Sequence, residues 1–382
     1  MSEKRILLAS LLKPINDTRL YEKLGLSLSK ISGVSIHITG YEAPIPAEAP
    51  ANMHFHPIFR FSRLSAGRIA AQRAHYRLLQ HIQPHMVIVS THELLLPTLL
   101  YKARYSNVRI VYDIQENYSL NLRAQHNYSW PLKHLLALSI RTIEKMTAGS
   151  IDHFLLAERS YAEELPFLGD RYTFIENKYK AHQELSALAT PVSLPTTGTL
   201  RLLYSGTIAE EYGVWEAIES AKQLQAIRPA SKLTIIGYCA NSDTLAKLRQ
   251  ACLALPFVEL IGGDKLVPHR DILQQIEKSH IGLLPYRPNA STFRCIPTKL
   301  YEYMAHGLPI MIQENPLWQG IVAGNDAGRA VDFRRINIET LYHELSTTNF
   351  YKHGIPNAIY WESEEEKLLQ IIIPLLSQVQ EK

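Results

Sequence analysis

Short aliphatic runs alternate with longer helical stretches along the first half of this chain, break, and then alternate again. Arg5–Ala9, Val34–Thr39, Met86–Ser90, Arg109–Asp113, His153–Leu156 and Tyr172–Glu176 read as strands. Helical spacing fills Thr18–Ser32, Arg68–Ile82, His92–Arg104 and Leu132–Thr147 between them. Alternation with connections of this length predicts a parallel sheet wound on both faces by helices. Residues 182–199 carry prolines, serines and threonines without a period, and read as a linker.

The pattern then restarts. Leu200–Ser205, Lys232–Ile236, Val258–Ile261, Ile281–Leu284 and Pro309–Ile312 read as strands, and Val214–Ala226, Asp243–Leu253, His269–Lys278 and Pro297–Ala305 as helices. The fold class is therefore α/β, with two Rossmann-like doubly wound domains over residues 1–181 and 200–356 facing each other across a cleft. Residues 357–382 read as a C-terminal helix, kinked or split at Pro374, that packs back on the first domain. A chain of 382 residues suits two such cores.

Residues 296–310, IPTKLYEYMAHGLPI, carry most of the chemistry. Pro297 opens a helix, Gly307 ends it in a left-handed turn, and Pro309 blocks its continuation. Lys299 in the first turn opposes the helix dipole, a choice that suits a phosphate bound at that end. Glu302, three residues on, shares its face and suits two adjacent hydroxyls. The plain alternative is that Lys299 and Glu302 pair with each other on a solvated surface.

The run from Pro297 to Ile310 resembles the pattern Pro-Ser/Asn/Thr-Lys-x-x-Glu-Tyr-Met-Ala-x-Gly-x-Pro of the retaining, group 1 glycosyltransferases of the GT-B fold. LLYSGTIAEEYG (202–213), TIIGY (234–238), Gly328, DTR (17–19), VYDIQENY (111–118) and the Tyr360–Trp361–Glu362 start of the last helix resemble the same family. The resemblance implies a sugar transferred, with retention, from a nucleotide-sugar co-substrate to a glycan or lipid-linked acceptor, without a further cofactor. It implies donor contacts from Gly206, Thr207, Gly237, Tyr238, Arg294, Thr298, Lys299 and Glu302. Asp113, Gln115 and Glu116 become the catalytic candidates, and Arg19, Arg60 and Arg63 the acceptor-binding ones.

Three positions depart from the pattern. Arg294 stands where the first donor-facing acid is usual, Tyr212 where a cationic phosphate clamp is usual, and Gln115 where a histidine is usual. Glutamine can orient a group but cannot act as a base. These departures favour the alternative of a catalytically silent homologue that binds a nucleotide or supports a partner enzyme; another GT-B enzyme, a nucleotide-sugar 2-epimerase, is a second alternative. There is no Asp-x-Asp pair, and the histidines and the three cysteines lack metal-ligand spacing, so no metal is expected.

No apolar run is long enough to span a bilayer, and the N-terminus lacks a signal-peptide core. The expectation is a cytoplasmic protein, at the inner face of the membrane in one reading. That reading comes from residues 50–92, which contain no Asp or Glu but five arginines interleaved with aromatic residues. Peripheral membrane contact or a channel for a phosphate-bearing lipid suits this stretch. A net charge of only +4 and no recognition motif argue against nucleic acid.

Overall fold

The computed structural model describes residues 3–62, 65–124, 129–181, 191–289 and 293–379. Contacts divide the chain into two compact units, Met1–Lys180 with Trp361–Lys382, and Ala181–Tyr360.

The first unit is a seven-stranded parallel sheet. Its strands are β1 (Lys4–Pro14), β2 (Val34–Tyr41), β3 (Met53–Phe59), β4 (Met86–Val89), β5 (Arg109–Ile114), β6 (His153–Leu156) and β7 (Tyr172–Phe174), in the order β3-β2-β1-β4-β5-β6-β7. The order reverses between β1 and β4, which opens a crevice at their carboxyl ends. β1, β4 and β5 are buried on both faces, so they read as continuous aliphatic runs rather than alternating ones. β3 lies inside the basic stretch and pairs in parallel with β2. The first helical segment winds as a π-helix over Thr18–Gly25, and the Asp17 side chain accepts the N–H groups of Arg19 and Leu20 at its start.

The final helix, Glu362–Ser377, belongs to this unit and continues through Pro374, so the chain does not split there. Burial explains its persistence: Trp361, Leu368, Ile372 and Leu376 enter the cluster formed by Ile6, Leu8, Leu24 and Ile36. Glu364 accepts the Glu176 N–H at 2.9 Å and pairs with Lys178 at 2.6 Å. The Trp361 indole donates to Ser27 Oγ at 2.8 Å.

The second unit is a six-stranded parallel sheet. β8 (Leu200–Thr207), β9 (Ser231–Tyr238), β10 (Val258–Gly263), β11 (Ile281–Leu284), β12 (Ile310–Gln313) and β13 (Gly328–Val331) take the order β10-β9-β8-β11-β12-β13. Its reversal point lies between β8 and β11. β13 begins at Gly328, where a Cβ would meet the Ile310 carbonyl oxygen at 1.8 Å, so only glycine lets that edge strand close on β12.

Candidate functional site

Glycines floor the carboxyl end of the second sheet. Gly206 pairs with Gly237 across β8 and β9, and Gly237 pairs with Gly262 across β9 and β10. Thr207 and Tyr238 follow in the same register, both exposed. A Cβ on Gly237 would meet the Gly206 carbonyl oxygen at 1.6 Å, and one on Gly262 would meet the Gly237 carbonyl oxygen at 2.6 Å. Close approach of the three backbones therefore excludes a side chain at each of these positions, and Val267 Cγ2 and the Lys299 side chain already lie where a Cβ on Gly262 or Gly206 would go.

At the reversal point, Gly213 (φ +75°) turns the chain into the Val214–Ile227 helix, and a Cβ there would meet the Pro285 carbonyl oxygen at 1.8 Å. That contact brings the β8 turn against the segment after β11, where Tyr286 lies. Tyr212 and Tyr286 then pack with ring centroids 4.8 Å apart.

The Thr298–Ala305 helix delivers the charged groups. Pro297 precedes it with no side-chain cap, so the first N–H groups keep their positive end open. Tyr303 fixes the helix over the sheet: its hydroxyl meets Ser205 Oγ at 2.9 Å, in the buried interior, and its ring occupies the space a Cβ on Gly282 would take. Lys299 then lies across Gly206, where a Cβ would come within 2.1 Å of its Cε and 2.4 Å of its Nζ. Gly206 holds φ at +92°, a region closed to most side chains.

Lys299 and Glu302 do not pair with each other. Glu302 Oε1 meets His269 Nε2, which leaves Oε2 without a partner among the described residues. Lys299 Nζ donates to Tyr286 Oη at 3.3 Å and sits 5.9 Å and 5.8 Å from the Tyr212 and Tyr286 ring centroids. No carboxylate among the described residues neutralises it. Tyr212, at the position where a cation is usual, thus holds the remaining cation through its π-face. His269 and Gly262 escaped the sequence reading; the Pro-His that opens a helix and the Gly-Gly that ends β10 were their signals. Arg294 is exposed on the turn before the helix, beside residues 290–292, which lie outside the described residues.

In the first unit, Arg19 and Asp113 form a buried pair. Arg19 Nη2 lies 2.6 Å and Nε 3.0 Å from Asp113 oxygens, with the two side chains 3% and 0% exposed. Gln115 Nε2 donates to the same carboxylate at 2.8 Å, Ser90 Oγ approaches it at 3.4 Å, and Arg19 Nη1 reaches Asn177 at 3.1 Å. Every strong site on Asp113 is occupied, so the pair acts as a strut beneath the carboxyl ends of β4 and β5. Burial works to lower the Arg19 pKa, but Asp113, with Asp17 and Glu364, raises it above its ordinary value, so the guanidinium stays charged. Glu116 is half-buried and accepts from Asn121 at 3.1 Å. Arg60 is exposed and pairs with Glu42, and Arg63 lies outside the described residues.

A second cluster follows β4. Glu93 has both carboxylate oxygens buried without a hydrogen bond, with Arg68 Nη1 at 3.5 Å and His92 Nδ1 at 3.4 Å. The His92 ring packs 5.2 Å from that of Tyr118. Burial lowers the His92 pKa; Glu93 opposes that shift and Arg68 adds to it. Sequence reading missed these groups because His92 and Glu93 open a helical stretch that looks apolar. Among the described residues no group of three or more His, Cys, Asp or Glu is arranged to hold a metal, and no helix is long and apolar enough to cross a membrane.

Residues 191–346 match the family model described as glycosyl transferases group 1. No curated protein matches the chain. Among solved structures, sucrose-phosphate synthase from Thermosynechococcus elongatus superposes with a TM-score of 0.70 at 13% identity, covering 98% of this chain and 99% of that one. A putative UDP-N-acetylglucosamine 2-epimerase from Listeria monocytogenes superposes at 0.62 and 11%, covering 100% and 98%. An Anabaena protein in complex with UDP-glucose superposes at 0.57 and 10%, covering 97% and 99%. The architecture is the GT-B fold, and the match to the glycosyl transferases group 1 model falls within its second unit.

Proposed function

We propose that this chain is a glycosyltransferase whose Ala181–Tyr360 unit holds a nucleotide-sugar donor through its diphosphate and ribose. One observation carries the reading: a lysine with no carboxylate partner among the described residues lies across Gly206 of β8, in the first turn of a helix that Pro297 leaves without a side-chain cap. Free backbone N–H groups and one cation there suit a diphosphate. Oε2 of Glu302, without a partner among the described residues, suits a ribose hydroxyl, and the glycines at the carboxyl ends of β8, β9 and β10 let a nucleoside approach the backbone closely.

The chemistry asked of these residues is stabilisation of a departing nucleoside diphosphate. Lys299 and the helix end face negative charge that grows as the glycosidic bond breaks, in a setting organised before the substrate arrives. A metal-free course with retention of configuration is part of the proposal, and so is a glycan or lipid-linked acceptor taken by the first unit. The hexosyl class of the transferred sugar is proposed on the same footing. Arg294 would face a phosphate or a carboxylate better than a neutral hydroxyl.

The similarity to a 2-epimerase gives a second reading a specific basis. Incubation with UDP-, GDP-, ADP- and TDP-sugars separates the two. Release of a nucleoside diphosphate, by hydrolysis or transfer, supports the transferase. Recovery of an isomerised sugar in place of that release would overturn it.

A further inference from the structure

The large apolar side chains that remain exposed concentrate on one helical layer of the first unit. Three helices, Gly67–Ile82, Leu95–Arg104 and Trp130–Ala148, pack side by side. They expose Ile69, Leu96, Leu100, Trp130, Leu135 and Met146, with Leu100 66%, Trp130 71% and Met146 80% accessible. Apolar surface gathered in this way on a folded chain marks a contact face.

Two grooves flank the ridge made by Leu96 and Leu100, with volumes of about 900 and 960 Å³. Arg73, Arg77 and Arg104 border the first, and Lys102 and Arg171 the second. Carboxylates are nearly excluded. Glu144 is the one acid on the three helices, and it is buried against Tyr112 and Arg141. Asp152, in the second groove, is held by Lys102 and Arg109. Arg73, Arg77, Arg104 and Lys145 have no carboxylate partner among the described residues.

From this we infer that the layer is a docking surface for an anionic phospholipid bilayer. Exposed leucines and a tryptophan would enter the acyl boundary, and the unpartnered arginines would meet lipid phosphates. A protein partner of ordinary composition would need its own acidic face, whereas a bilayer supplies both apolar depth and negative charge. The surface comprises helices beyond the basic stretch that first suggested membrane contact. The inference is independent of the donor site, because vesicle binding is read without a nucleotide sugar.

The test is flotation of the full chain with phosphatidylcholine vesicles containing roughly a quarter phosphatidylglycerol, compared with phosphatidylcholine alone. The wild type should float with the anionic vesicles and lose retention as salt is raised. Arg73→Glu with Arg77→Glu should weaken partitioning roughly thirtyfold or more. Leu100→Ser with Leu135→Ser should weaken it by at least about tenfold. All four positions are exposed, so the thermal midpoint should hold in both variants. Failure of the wild type to float, or equal flotation of the variants, would overturn the proposal. So would a dimer in sedimentation velocity that the Leu100→Ser/Leu135→Ser variant dissolves while vesicle binding is unchanged, which would assign the face to a second copy.

Discussion

Lys299 occupies the space that any side chain on Gly206 would need: a Cβ there would lie 2.1 Å from the lysine Cε. The two positions are far apart in sequence, yet the register of β8 and the Ser205–Tyr303 hydrogen bond bring them to one point. A glycine strand end and a helix N-terminus thereby meet at the place where we propose that the diphosphate binds.

Gly206→Ala should displace Lys299 and strain a backbone held at φ +92°, destabilising the unit by about 1–3 kcal/mol. Nucleoside diphosphate affinity should fall at least about tenfold, the loss of one charge-assisted hydrogen bond. In a double-mutant cycle with Lys299→Ala the effects should be strongly non-additive, because both remove the same contact. Additive losses in calorimetry would separate the two residues.

Glu302→Ala should leave the fold intact and cut donor affinity by roughly tenfold or more, through loss of a carboxylate acceptor for ribose. The wild type should bind a ribonucleoside diphosphate more tightly than its dideoxy analogue, and the variant should bind both alike. His269→Ala should preserve the preference while lowering affinity less, since it removes a support of Glu302 rather than the acceptor itself. An undiminished preference in Glu302→Ala would take the residue out of the ribose contact.

Asp113→Asn should leave the Arg19 charge buried without a counter-ion and cost about 3–5 kcal/mol of stability. Urea unfolding measures this directly, and Arg19→Met should cost a comparable amount. A variant of Asp113 that unfolds normally but loses turnover would instead make this carboxylate a participant in catalysis.

His37, His54 and His56 stack across β2 and β3, with His37 Nδ1 3.0 Å from His56 Nε2. Burial, reinforced by the neighbouring imidazoles, pushes His37 and His56 down to about 4, and burial pushes the His75 imidazole down to about 3. Each is lowered from an ordinary value of 6.5, so the unfolded chain takes up these protons first. Their contribution to stability is complete above about pH 6.5 and is lost as pH falls toward 4. The urea midpoint should therefore decline between pH 7 and pH 5, and the His37→Gln/His56→Gln variant should decline less steeply. A flat profile in the wild type would contradict the burial of these imidazoles.

Much of the second unit was legible because its chemistry is local. Pro297, Lys299, Glu302 and Gly307 lie within one helix and its ends: Pro297 and Gly307 follow the rules of helix termini, Lys299 breaks one, and Glu302 lies three residues on from it. What depends on partners distant in sequence was not legible. Neither Arg19 nor Asp113 indicates alone that they form a strut, because the pairing needs β5 brought beside the Asp17-capped turn. The histidine stack needs the β2–β3 register, which sets His37 opposite His54. Tyr212 reads as a missing cation until Tyr286 is placed beside it and both are seen to hold Lys299. Pro374 reads as a break until the cluster around Trp361 and Leu368 shows what holds the helix through it.

We propose that Gly206, Gly237, Lys299 and Glu302 of the second unit together hold a nucleoside diphosphate. Isothermal titration of the wild type and Lys299→Ala with UDP, GDP, ADP and TDP tests it most directly. The wild type should bind at least one of these saturably, and Lys299→Ala should bind it at least about tenfold more weakly. Absence of binding across the set, or equal affinity in the two proteins, would contradict it.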